Sequence, residues 1–134
     1  AGGHARVAWI IRKDVIRINW ETIYKHLNSS GYEIYSLGQH SGECKEPYIV
    51  LRNDGSTPRQ GVELPTYELL LYYPSNRYSE FEGYIESVKG HMNRLYPSLW
   101  LIDGPGPHYL DPDVRGYMTN LVYQGLRKSK INRL

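Results

Sequence analysis

Two residues in the segment from Gly38 to Pro47 carry side chains that could bind a metal ion. His40 and Cys44 are separated by three residues, and imidazole and thiolate are both good ligands for zinc. A structural zinc site takes four such ligands, however, and no second Cys or His pair stands at zinc-finger spacing. The segment is therefore predicted to be a polar turn, and no metal or other cofactor is expected.

The glycines of the sequence Asp103-Gly-Pro-Gly-Pro107 raise the question of a phosphate-binding loop. The two patterns that carry this chemistry are G-x-x-x-x-G-K-S/T and G-x-G-x-x-G, and neither is present. Two prolines also make this stretch incompatible with a helix. It is predicted to be a rigid loop without a nucleotide.

Acid–base catalysis would require two titratable groups in one pocket with separated pKa values. The carboxylates are scattered, and the five histidines, at positions 4, 26, 40, 91 and 108, show no ligand spacing. No oriented third group can be assigned to Cys44 and His40. The protein is therefore interpreted as a non-enzyme, and the alternative is an enzyme whose pocket the sequence does not reveal.

The composition is that of an ordinary globular domain, with 40% hydrophobic and 22% charged residues in 134. A net charge of +2 and a pI near 8.6 are too low for a dedicated nucleic-acid binder, so no specific nucleic-acid binding is expected. No apolar run is long enough to predict a membrane span. The chain has thirteen tyrosines and one phenylalanine, and tyrosine is typical of partly solvated surfaces and protein interfaces.

The elements that must position these residues centre on residues 65–74, which are predicted to form a strand. Side chains alternate along a strand, so Leu69 and Leu71 point to one face while Leu70 and Tyr72 point to the other. A strand that is apolar on both faces is typical of the inside of a sheet that is covered above and below.

The first of two predicted helices spans about 15–29. Its apolar residues recur at helical spacing, Asp14 or Asn19 could cap its start, and Gly31 suits its end. The apolar positions are Ile16, Trp20, Ile23, Tyr24 and Leu27.

The second helix is predicted at about 79–95. Ser79 and Glu82 match the Ser-x-x-Glu capping box, in which each side chain bonds the backbone N–H of the other residue. Gly83 and Gly90 weaken a helix, and we interpret them as sites of close packing on the sheet.

The remaining strands complete an α+β domain with two helices on a mixed, mainly antiparallel sheet of four to five strands. With the central strand and the second helix, residues 99–102 form a β-α-β unit. For the last predicted strand, residues 116–124, a helix is the competing interpretation. The additional predicted strands are 32–37, 48–52, 99–102 and 116–124.

The chain is divided into an N-terminal arm at 1–14, one domain at 15–125 and a tail at 126–134. The first four residues lack a methionine and resemble a cloning or processing remnant. The tail is basic and predicted to be mobile. The alternative function is that of a nucleic-acid-associated factor, whose affinity for nucleic acid would fall as the salt concentration rises. The residues that would bind phosphates are Arg127, Lys128, Lys130 and Arg133.

Residues 53–61 are rich in turn formers and are predicted to form a long, protruding hairpin loop that carries Arg59 and Gln60. Loops of this length within a compact domain often have a function or are mobile. A solvated loop without a partner is the alternative.

Three features of the sequence resemble one protein family. They are the order of the elements, the Pro-Tyr-Ile-Val-Leu-Arg strand at 47–52 with its polar loop, and residues 117–124 (Tyr-Met-Thr-Asn-Leu-Val-Tyr-Gln), which follow the acidic sequence Asp111-Pro112-Asp113. The chain is similar, over roughly residues 15–125, to the tail-to-head joining proteins of long-tailed bacteriophages, also called tail completion or tail terminator proteins. We know of no catalytic signature in that family.

The resemblance implies a virion structural protein at the head–tail interface, assembled in the host cytoplasm. Several copies, six in the family pattern, would form a ring that caps the tail tube, stops its growth and meets the head connector or stopper protein. In isolation the chain could be a monomer. The predicted interface residues are Arg52, Asp54, Arg59, Gln60, Arg127, Lys128 and Lys130.

Overall fold

The computed structural model describes residues 18–60 and 62–126, apart from the side chains of Arg59 and Val62. Two α-helices and six strands are present in this part of the chain, together with the 3-10 turns Ser75–Glu80 and Asn93–Leu95. The helices are α1 (Trp20–Ser29) and α2 (Phe81–Met92), and the strands are β1 (Ile34–Ser36), β2 (Tyr48–Arg59), β3 (Val62–Pro74), β4 (Leu99–Asp103), β5 (Tyr109–Asp111) and β6 (Gly116–Gly125).

The strands form one mixed sheet in the order β1-β2-β3-β6-β4, and β5 also pairs with β6. Only the β1–β2 pair is parallel, whereas β2–β3, β3–β6, β4–β6 and β5–β6 are antiparallel. The α+β prediction is confirmed, although the sheet has six strands rather than four to five. β3 and β4 both run opposite to β6, so they are parallel, as the predicted β-α-β unit requires. The last segment is a strand, not the alternative helix.

One face of the sheet is covered by both helices. Leu69 and Leu71 of β3 are fully buried there, in a cluster that also contains Leu121 of β6. The helices contribute their apolar stripes to the same cluster, because residues three and four apart lie on one face of a helix. The helix residues of this core are Ile23, Leu27, Phe81, Ile85, Val88 and Met92.

Within the described residues, the opposite face of the sheet is only partly covered, which differs from the expectation of a central strand covered on both sides. β3 is internal as predicted, but Leu70 and Tyr72 remain partly exposed. They pack against a small cluster of Cys44, Tyr48 and Val50 that includes no residue of either helix within the described ranges. We call this side the open face.

The start of α1 follows from its cap. Asn19 precedes the helix, and its side-chain oxygen accepts a hydrogen bond from the Thr22 backbone N–H at 2.8 Å. Asn19 is therefore the cap among the two candidates, and the helix begins at Trp20 rather than near residue 15.

The start of α2 differs from the prediction. Ser79, the predicted cap, belongs to the 3-10 turn Ser75–Glu80, and its predicted partner Glu82 lies inside the helix, which begins at Phe81 without a side-chain cap. Glu80 instead accepts a hydrogen bond from the Tyr73 hydroxyl at 2.7 Å. Gly83 and Gly90 are exposed, and nothing lies within 4 Å of a Cβ added to either, so neither serves close packing on the sheet.

The predicted long loop at 53–61 is wrong, because β2 continues to Arg59 and pairs with β3 down to Val62. The turn-forming sequence is used for a bulge in the strand, between Asn53 and Ser56. There the Gly55 N–H donates to the Asn53 side chain at 2.9 Å, and Gly55 adopts a φ of 88°. An Asn side chain that accepts a hydrogen bond from the backbone two residues on, followed by a glycine in the left-handed conformation, occurs in β-bulges as well as in turns.

Residues 54–65 project beyond the rest of the sheet as a two-stranded ribbon, which we call the arm. The pairing of β1 with β2 ends at Leu51, and that of β6 with β3 ends at Thr66. Among the described residues, the two strands beyond those positions pair with each other alone, over about 17 Å at the usual rise per residue. The arm is thus an ordered extension and not a loop.

The sequence Gly104-Pro-Gly-Pro107 links β4 and β5, which share the side of β6 not occupied by β3. A Cβ on Gly104 would lie 2.4 Å from the backbone oxygen of Asn120, and one on Gly106 would lie 2.6 Å from its side-chain oxygen. Thr119 ties the loop down by donating to the Gly106 carbonyl at 2.8 Å. The glycines therefore permit close contact between this loop and β6.

Within the described residues, neither helix has the length and hydropathy needed to cross a membrane. The predicted N-terminal arm at 1–14, the first residues of the predicted helix at 15–29 and most of the predicted tail, residues 127–134, lie outside the described ranges.

Candidate assembly surfaces

The open face carries a polar cluster at the base of the arm. Glu68 of β3 accepts hydrogen bonds from Arg52 Nη1 at 3.2 Å and from Asn120 Nδ2 at 2.9 Å. Arg52 also meets Asp54, with 3.4 Å between Nη2 and Oδ1. The strand register places these residues together, because Arg52 lies opposite Glu68 and Asn120 is two residues along β6 from Val122, the partner of Glu68.

The contacts of this cluster fix the position of the Glu68 carboxylate. The Glu68 side chain is only 15% exposed, while that of Arg52 is 42% exposed. A shielded carboxylate needs charge and hydrogen-bond partners, which Arg52 and Asn120 supply. With Asp54, two carboxylates share one guanidinium, so the formal net charge of the cluster is negative.

Arg52 and Asp54 are thus joined, whereas the other predicted interface residues are not part of this cluster. Gln60 lies at the tip of the arm, exposed and with a φ of 52°. The backbone of Arg59 pairs with Val62 beside it. Arg127, Lys128 and Lys130 lie outside the described part of the chain.

Neither Glu68 nor Asn120 is among the interface residues that the sequence predicts. The available signal was a charged residue inside the most apolar strand, where a partner is required. Asn120 is 52 positions away from Glu68, so its identity as that partner depends on the sheet order.

The arm is exposed along its first strand, whereas on the returning strand Leu64 is partly exposed and Pro65 is buried. Asp54, Gly55, Ser56, Thr57 and Pro58 are all exposed, as is Glu63 on the returning strand. Pro58 and Pro65 each remove a backbone donor, which discourages pairing with a further strand. A ribbon of two strands gains little stability alone, so an arm of this kind is typical of an element that is held by contact with another molecule.

The outer edge of the sheet, formed by β4 and β5, is apolar. Four of the seven exposed large hydrophobic residues in the described ranges lie on these two short strands. They are Leu101, Ile102, Tyr109 and Leu110, with exposures of 37%, 48%, 58% and 54%. Edge strands of monomeric proteins usually carry charges instead, and an exposed apolar patch marks a contact surface.

An aromatic stack closes the other end of the open face. The Tyr48 ring lies between His40 and Tyr72, with centroid distances of 3.8 Å and 4.6 Å. Tyr35 meets both His40 and Tyr48 edge-on. Burial raises the pKa values of Tyr48 and Tyr72 above the ordinary value. The stack explains several of the tyrosines, and it places His40 in a packing role.

Cys44 is a buried thiol beside a shallow groove. Its backbone N–H donates to the Val114 carbonyl at 2.6 Å, and its Sγ donates to the Glu46 carbonyl at 3.4 Å. Burial raises the pKa of the Cys44 thiol to about 11, although Arg77 opposes the shift. A thiol with such a pKa is neither a good nucleophile nor a ready metal ligand at neutral pH.

The groove next to Cys44 is lined by mixed charges. In residues 18–60 and 62–126, no three His, Cys, Asp or Glu side chains are grouped so as to hold a metal ion. Of the charged residues around the groove, Arg77 pairs with Glu46 and Arg115 pairs with Glu43. Its lining residues are Glu43, Cys44, Lys45, Pro74, Ser75, Asn76 and Arg115.

The surfaces that stand out are therefore suited to contacts with other proteins: a projecting polar arm with an acidic cluster at its base, and an apolar sheet edge. In the comparisons with known proteins, no family model and no curated protein sequence matches this chain.

Proposed function

We propose that this protein is a virion structural component that caps the tail tube of a long-tailed bacteriophage and joins tail to head without catalysis. Several copies form a ring through contacts between the arm or sheet edge of one copy and a different surface of its neighbour. The tail tube protein and the head connector or stopper protein are its partners. The proposal joins the sequence resemblance to the surfaces described above.

The observation that carries the proposal is the arm. It extends about 17 Å beyond the last residues at which β1 and β6 pair with its two strands, and the described side chains from Asp54 to Pro58 are exposed. Such an element contributes little to the stability of its own domain. A ring of identical copies makes heterologous contacts, in which one patch meets a different patch on the next copy. A projecting arm and a distant apolar edge are two patches of that kind.

The proposal is tested by replacing Arg59 and Gln60 together with alanine. We expect a folded protein with an unchanged melting temperature, because both positions are at the tip of the arm. Joining of tails to heads, measured as infectious particles formed in an extract that lacks this protein, should fall about tenfold or more.

The matched control is the double variant Glu21→Ala/Lys25→Ala. These residues form an exposed ion pair on α1, which packs on the covered side of the sheet. This variant should fold and support joining at the wild-type level. Full joining by a folded arm variant would contradict the proposal. Light scattering of the protein alone, and after addition of tail tubes or connectors, reports the ring directly.

A further inference from the structure

The outer sheet edge combines apolar side chains with a charge of one sign. Between Leu99 and Val114 the chain contains three aspartates, Asp103, Asp111 and Asp113, and no lysine or arginine. None of the three forms an ion pair with another residue in the described ranges. The edge is therefore acidic and apolar together.

The hydrogen bonds of these aspartates are local. Asp103 accepts from the Gly104 N–H at 2.9 Å, and Asp111 accepts from the Asp113 N–H at 3.0 Å. Such bonds shape the turns at the ends of β4 and β5 but leave the negative charges uncompensated. A ligand that fits this edge must supply positive charge and apolar side chains along an extended line.

The chain itself contains a segment with this chemistry. Residues 127–134 follow directly on Leu126 and carry four basic residues and no acidic one, together with Ile131 and Leu134. Eight extended residues reach about 26 Å, which is comparable with the length of β6 that β4 and β5 follow. The basic residues are Arg127, Lys128, Lys130 and Arg133.

We propose that residues 127–134 of one copy bind along the acidic and apolar β4–β5 edge of the next copy. This inference rests on the proposed function, since it names the contact that links neighbours in the ring. The contact is heterologous, because a segment beyond β6 meets an edge formed by β4 and β5. Its electrostatic part weakens with salt.

The chain's own segment is the less suitable occupant of that edge. Leu126 bonds to the Ser98 carbonyl at the start of β4, so the segment would have to cross the end of β4. Crossing two strand spacings takes about 10 Å, or three residues. Arg127 and Lys128 would then lie beyond the edge and away from the aspartates, whereas the segment of a second copy meets no such limit.

The test uses the full chain with the tail charges reversed, Arg127→Glu/Lys128→Glu/Lys130→Glu, so that its own tail no longer competes. The probe is a fluorescent synthetic peptide of residues 127–134 with the natural sequence, followed by fluorescence anisotropy. We expect saturable binding at about 50 mM salt, with a Kd that rises about tenfold or more at about 500 mM. Absence of binding at low salt would overturn the proposal.

Specificity is tested by adding Asp103→Asn/Asp111→Asn/Asp113→Asn to the same chain. Asparagine keeps an oxygen for the two backbone hydrogen bonds while it removes the charge. Binding should weaken about tenfold or more. The matched control neutralises three exposed carboxylates on or near the helices, Glu21→Gln/Glu82→Gln/Glu86→Gln, and should leave the Kd within about twofold. Equal losses in both variants would overturn the assignment to this edge.

The wild-type chain distinguishes a second copy from the chain's own segment. A wild-type protein that self-associates at low salt, or that stays monomeric and binds the peptide, has an edge accessible to another copy, as proposed. A wild-type protein that stays monomeric and excludes the peptide has its edge filled by its own segment, which overturns the proposal. If the wild-type protein excludes the peptide but the Arg59→Ala/Gln60→Ala variant loses joining, the tail contact is overturned and the proposed function is still supported.

Discussion

Glu68 of β3 and Asn120 of β6 are joined by a 2.9 Å hydrogen bond on the face of the sheet that the helices do not cover. Arg52 of β2 donates a second hydrogen bond to the Glu68 carboxylate. Three adjacent strands are thereby linked by side chains at the level where the arm leaves the sheet. We infer that the cluster fixes the root of the arm, because a ribbon of two strands is stabilised mainly by what holds its base.

The first prediction concerns Glu68→Gln. The amide keeps one acceptor oxygen, so either Arg52 or Asn120 loses its acceptor. We expect the free energy of unfolding to fall by about 1–2 kcal/mol, since a shielded donor is left unpaired. Urea denaturation followed by circular dichroism measures the change. Glu82→Gln, on the exposed side of α2, should cost less than about 0.5 kcal/mol, and equal costs would refute a special role for Glu68.

The second prediction concerns the contact of Gly104 with β6. Gly104 has a φ of 100°, and an added Cβ would lie 2.4 Å from the Asn120 backbone oxygen. Gly104→Ala should therefore destabilise the protein by about 2 kcal/mol or more, from strain and overlap together. Gly90→Ala is the opposite case, because it lies in exposed helix with free space around it, and it should stabilise by about 0.5–1 kcal/mol. Thermal melting of the two variants would disprove this account if both shifted in the same direction.

The third prediction concerns Tyr84, whose hydroxyl is buried with no hydrogen-bond partner among the described residues. Burial raises its pKa above the ordinary value. Tyr84→Phe removes the unpaired group and keeps the ring contacts with Tyr32 and Tyr73. We expect stability to be unchanged or to increase by up to about 1 kcal/mol. Tyr73→Phe is the control, since its hydroxyl bonds Glu80, and it should lose about 1 kcal/mol.

The fourth prediction is a pH dependence due to Cys44. Burial raises the pKa of its thiol from 9.0 to about 11, so above pH 9 the unfolded chain releases this proton before the folded chain does. The contribution is therefore fully present below pH 9 and is lost as pH rises toward 11. Cys44→Ala should show a shallower fall in the free energy of unfolding across that window. The native thiol should also react with iodoacetamide at pH 8 about 100-fold more slowly than the thiol of the denatured chain. Equal slopes and equal rates would contradict the buried thiol.

Several elements follow from local sequence patterns because their causes are local. The alternating residues of β3, the apolar stripe of α2 and the Asn19 cap of α1 depend on neighbours within a few positions. The errors occurred where two local patterns share one signal. Asn53-Asp54-Gly55 serves a bulge instead of a hairpin turn, and Ser79 lies in a 3-10 turn instead of capping a helix.

The sequence by itself determined the fold class and the central place of β3. It also contains the basic segment at 127–134 and the aspartates from 103 to 113. Only the tertiary structure decided that both described helices pack on the same face of the sheet, that residues 54–65 project as an arm and that Glu68 meets Asn120. The physical reason is that propensity and periodicity act over a few residues, whereas strand order brings together groups that are 52 positions apart and decides which faces and edges remain uncovered.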